Sequence, residues 1–93
     1  MSSLTTTEKR KLEQLLGMAG GHVLDFTNRT FEEFIRDNTG RDIYGERYNQ
    51  GSGSKANRLR AFWQEEDDAT VGKLMSDMLD TARPREHRWR FAD

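Results

Sequence analysis

Between Asp67 and Pro84, apolar residues recur at Val71, Leu74, Met75, Met78, Leu79 and Ala82. Steps of three and four residues line them along one side of an α-helix, a pattern that no alternating strand reproduces. Asp67 or Asp68 starts this helix, and Pro84 marks its end. A helix with one greasy face has to bury it, so the remaining chain must supply matching surfaces. Ninety-three residues leave room for one small domain. A chain of this size buries roughly 60–65% of the surface it exposes when unfolded, so its core is modest.

Three further helical segments can serve as partners. Thr5 to Ala19 carries Leu12, Leu15, Leu16 and Ala19 at helical spacing, with Thr7 available as a cap and Gly20-Gly21 as the stop. His22 to Phe26 reads as a packed connector. In the next segment Phe31, Phe34 and Ile35 form one face, and Glu32, Glu33, Arg36 and Asp37 the other. Thr30 with Glu33 fits a capping box, Thr27 or Asn28 offers an earlier start, and Gly40 is the terminator. The third helix, capped by Ser52 or Ser54, sets Ala56, Leu59, Phe62 and Trp63 on one side. Arg41 to Gly53 lies between as a long irregular loop, anchored by Ile43, Tyr44 and Tyr48. The expectation is all-α: a compact bundle of about four short helices with one long irregular loop. Residues 1–84 form the helical domain and 85–93 a basic-aromatic tail or linker stub.

Charge narrows the function. The net charge is -1, yet 15 basic residues face 16 acidic ones, and 11 of the basic residues are Arg. No global field draws the chain to nucleic acid or to an anionic membrane. No apolar run reaches the roughly 20 residues that a membrane helix needs, and cytoplasmic residence is expected. Without Cys, disulfides, thiolate zinc sites and a Cys nucleophile are excluded.

Catalytic patterns are sparse. His22 and His87 lack paired metal-ligand spacing. GSGSK (Gly51 to Lys55) is out of order for a phosphate-binding loop and follows no strand. Arg83 and His87 sit one residue too close for the arginine-to-histidine pairing of helical ribonucleases, and Pro84 interrupts the helix that would display them. The run Glu65-Glu66-Asp67-Asp68 reads as an exposed acidic turn serving the dipole of the fourth helix. We therefore expect no enzyme, no cofactor and no metal site.

Recognition is the better-supported role. Lys55, Arg58 and Arg60 make one helix basic, and Glu65, Glu66 and Asp68 follow directly as its acidic counterpart. Opposite charges on one small bundle suit contact with a protein partner, including head-to-tail self-association. The alternative is a small nucleic-acid-binding module that uses Lys55, Arg58, Arg60 and the tail arginines Arg83, Arg85, Arg88 and Arg90 beside Trp89 and Phe91. In the connector, Asp25, Asn28 and Arg29 are candidates for a structural role, with Arg29 pairing with Asp25 or a nearby acid to secure the start of the second helix.

Two phrases carry a family resemblance: VLDFTNRTFEEF (Val23 to Phe34) and, within Tyr48 to Trp63, GSGSKANRLRAFW. Over roughly Leu12 to Leu79 the chain resembles the small N-terminal module of bacterial abortive-infection proteins, which are multidomain anti-phage defence proteins. The resemblance implies an accessory or sensing module coupled to a separate C-terminal effector, with no catalytic role attached to either phrase. At the level of fold alone, the pattern is also similar to death-fold-like adaptor bundles of bacterial conflict systems.

Overall fold

The last described helix, α4 (Asp68–Thr81), turns Val71, Leu74, Met75 and Met78 inward, with Leu79 at the margin. This computed structural model describes residues 2–49 and 53–81. Ala82, Pro84 and the whole basic-aromatic tail lie outside the described residues. Asp67 caps the helix, its carboxylate accepting the Thr70 backbone N–H at 2.8 Å. Hydrogen bonds from the Thr70 side chain and backbone hold the Asp67 carboxyl below the usual carboxylate range.

The first helix, α1 (Thr6–Leu15), is shorter than its apolar spacing predicts. Thr5, not Thr7, is the cap. Its hydroxyl accepts the Glu8 N–H at 3.1 Å, and Glu8 Oε1 accepts the Thr5 N–H at 2.8 Å. The stop comes at Gly17 (φ 61°), ahead of the double glycine. There the Met18 N–H bonds back to the Glu13 carbonyl at 2.9 Å. This early left-handed turn swings Leu16 and Met18 into the core and leaves Leu15 outside. Ala19 belongs to a separate 3₁₀ turn, Ala19–Gly21, rather than to the helix. Gly21 (φ 89°) allows that turn to rest on Ser54, since a Cβ there would sit 3.2 Å from the Ser54 Cβ.

The connector leads to α2 (Asn28–Thr39) by way of the buried Val23 and a left-handed Leu24 (φ 49°). The earlier of the two possible helix starts is the one used. Thr27 caps α2 through reciprocal bonds with Thr30, at 2.9 and 3.2 Å. Phe31 and Ile35 are buried, while Phe34 packs on Phe26 at 5.2 Å between ring centroids. Gly40 (φ 72°) ends the helix, as its position implies.

Residues 41–49 are more ordered than a plain loop. They contain a 3₁₀ turn, Glu46–Tyr48, and bury Ile43 and Tyr48, with Tyr44 half-buried. Ser54 caps α3 (Lys55–Glu65) by accepting the Asn57 N–H at 3.2 Å. This helix is the centre of the molecule: Ala56, Leu59, Ala61, Phe62 and Trp63 are all buried. The Trp63 indole N–H finds the Met75 sulfur at 3.2 Å, tying α3 to α4. The fold is all-α, four helices around one core, with no strand among the described residues.

Candidate functional site

The six charges proposed as contacts do not form one surface. Arg58 turns inward. Its guanidinium donates to the carbonyls of Ile43 (3.1 Å), Gly45 (3.4 Å) and Gly53 (3.3 Å), and lies 4.8 Å from the centre of the Tyr44 ring. A planar fork can bond several acceptors and stack at the same time, so Arg58 pins the irregular segment to α3. Burial raises the Tyr44 hydroxyl pKa, and the Arg58 charge partly opposes that shift. Lys55 donates to Asn28 Oδ1 at 3.3 Å, and the Tyr44 hydroxyl donates to the same oxygen at 3.1 Å. Asn28 thereby joins the starts of α2 and α3. Arg60 bridges to Glu13 at 2.8 Å and to Asn57 Oδ1 at 2.8 Å, holding α1 against α3.

The acidic run also divides. Glu66, far from being an exposed acid, is 3% exposed. It accepts the Tyr48 hydroxyl at 2.5 Å and pairs with Arg41 (3.2 Å) and Arg47 (3.5 Å). The α3–α4 corner folds it inward, and the two arginines of the preceding segment close over it. Burial, and then the Glu66 carboxylate, pushes the Tyr48 hydroxyl up to about 12. Glu65 remains exposed. Asp68 accepts the Ser3 N–H at 2.5 Å and the Ser3 hydroxyl at 2.9 Å. Arg29 pairs at 3.9 Å with a nearby acid, Glu33, rather than with Asp25, and the side-chain cap at the helix start is made by Thr27 and Thr30. Asp25 is exposed in the connector.

What the charge pattern does not show is a groove between α1 and α4, with a volume of about 340 Å³. Leu4, Leu12, Val71 and Met75 supply its apolar lining, Gly72 opens its side, and Glu8, Lys11 and Asp68 form its charged rim. A Cβ at Gly72 would meet nothing within 4 Å. A mid-helix glycine costs about 0.5–1 kcal/mol relative to alanine, and nothing among the described residues requires one there. One turn beyond Lys11, Leu15 stands 61% exposed, the one large hydrophobic residue so placed among those described. The available sequence signals were Gly72 inside an otherwise apolar period and the 8-11-15 spacing on α1, with Leu4 just ahead of its cap.

Across the described residues, no group of three or more His, Asp or Glu side chains is arranged to hold a metal, and no helix is long and apolar enough to cross a membrane. Comparison of the chain with family models, with curated proteins and with solved structures finds no match.

Proposed function

We propose that this chain is a non-enzymatic helical interaction module, an accessory or sensing domain within a bacterial phage-defence system. The observation that carries the interaction reading is the α1–α4 groove, apolar inside and charged at its rim, with an exposed leucine beside it. Concave apolar surface with polar edges is the usual form of a docking site. The defence context rests on the resemblance of Val23–Phe34 and Gly51–Trp63 to abortive-infection modules. Much of what those phrases specify is scaffold: the Thr27–Thr30 cap, the Arg58 clamp and the core residues Phe31, Leu59, Phe62 and Trp63. The nucleic-acid reading draws less support, because Arg58 and Arg60 are occupied by carbonyls and by Glu13.

A photo-crosslinking side chain placed at Leu15 in living bacteria tests this reading. The expected product is a protein adduct. An adduct to nucleic acid, or none, overturns it. For the defence context, cells carrying the intact gene should resist phage challenge, and Leu15→Glu should lower that resistance; unchanged plaque counts overturn it.

A further inference from the structure

The groove-facing side of α1 has a pattern that reads the same from both ends. Leu4, in the stretch just before the cap, and Glu8, Lys11 and Leu15 on the helix are spaced four, three and four residues apart. On a helix of 3.6 residues per turn, Glu8, Lys11, Leu12 and Leu15 fall within an arc of about 100°, with Leu15 near its middle. Leu4, Glu8, Lys11 and Leu12 line the groove, and Leu15 continues their row past its end. The flank beyond this arc is already used, with Glu13 held by Arg60 and, just past the helix end, Leu16 in the core.

Running a second α1 antiparallel along this row, about a two-fold axis between Lys9 and Arg10, sets Lys11 against Glu8 and brings Leu15 to the pre-cap end of the partner, where Leu4 lines the groove. Symmetry makes each of these contacts twice. Both apolar positions and both charges find complements in a single register, as an isologous interface demands. Asp68 on the α4 rim adds acid beside the incoming lysine, and the bare side of α4 at Gly72 gives a neighbouring backbone room to approach.

We propose that the α1–α4 groove is the seat of α1 from a second copy of this chain, paired antiparallel through Leu4–Leu15 and Glu8–Lys11 contacts. The proposal rests on the interaction-module reading and names its partner. It accounts for the exposure of Leu15 and for a glycine at position 72.

Sedimentation velocity on the full chain, across a wide concentration series, tests it. The wild type should form a reversible dimer. Leu15→Glu should remain monomeric with an unchanged circular dichroism spectrum, because Leu15 packs against little in the monomer. Gly72→Gln should fill the groove and weaken the dimer while preserving the fold. The register has its own test. Lys11→Glu and Glu8→Lys each set like charges against each other and should weaken self-pairing about tenfold or more. Mixed together, the two variants place opposite charges at every contact and should form heterodimers. A wild type that stays monomeric, a dimer indifferent to Leu15→Glu, or a mixture no better than its components overturns the pairing. If the Leu15 crosslink then captures a different protein, the interaction reading survives without it.

Discussion

The half of the molecule built from α2, residues 41–49 and α3 differs sharply from the half formed by α1 and the outer side of α4. In the first, polar groups are bound inward: Arg58 holds three carbonyls, and Glu66 holds a tyrosine and two arginines. In the second, none of the ten helical residues of α1 is fully buried, and α1 is held by Arg60–Glu13, by its neighbour Leu16 and by Ser3 on Asp68. Between α1 and α4 lies unfilled apolar space. The same dense charge thus does two jobs. Where charge is desolvated and hydrogen-bonded it organises an irregular segment; where it rims apolar surface, as at Glu8, Lys11 and Asp68, it stays exposed to solvent.

The sharpest way to break this contrast is to remove a charge from the consolidated half. Glu66→Ala leaves the Tyr48 hydroxyl buried without an acceptor and strands Arg41 and Arg47. We expect a loss of about 2–3 kcal/mol, the arginines being half-exposed and able to recover water. Urea denaturation measures it, and a loss below about 0.5 kcal/mol would place Glu66 with ordinary surface acids. Arg58→Lys should cost about 1–2 kcal/mol, since an ammonium cannot reproduce the fork or its stacking on Tyr44. Hydrogen exchange should show which part loosens: the amides of 41–49 should exchange faster, and those of α4 should not.

Tyr48 gives the same half a pH signature. Its pKa is pushed from 10.0 in the unfolded chain up to about 12 in the fold. The unfolded state therefore loses this proton first, so stability is complete below pH 10 and drains away as pH rises toward 12. Tyr48→Phe should flatten that alkaline decline relative to wild type. Parallel curves for the two proteins would show that the Tyr48–Glu66 contact does not bear on alkaline unfolding.

How far this division could be read in advance depended on distance along the chain. The face of α4, the buried Phe31 and Ile35, and the Gly40 terminator follow from local period and local backbone demand, and they stand where the spacing puts them. Glu66 did not declare itself. Within Glu65–Asp68 it looks like its neighbours, and what distinguishes it is Tyr48, 18 residues earlier, together with Arg41 and Arg47. Arg58 was legible as a basic residue on a helix, but not as a clamp, because its acceptors are backbone carbonyls that carry no sequence label. The groove was missed for another reason. Three leucines and Ala19 at helical spacing, with Gly20-Gly21 as the stop, point to a longer α1, and a single left-handed Gly17 decides that Leu16 turns in while Leu15 stays out.

Two glycines bring the comparison down to its smallest effect. Gly40 sits at φ 72°, where a side chain is strained whatever the space around it. Gly72 is helical, with open space where a Cβ would be. The same substitution should therefore act with opposite signs. Gly40→Ala should destabilise by about 1 kcal/mol, and Gly72→Ala should stabilise by about 0.5–1 kcal/mol, as backbone freedom is removed from the unfolded chain at no steric cost. Thermal unfolding at low protein concentration separates this from any effect on association. A gain at Gly72 would mean that the chain forgoes stability at a position where α4 borders open apolar space, as a surface reserved for contact requires. A loss there would show that α4 is already packed at that point, and the contrast between the two halves would fail at its boundary.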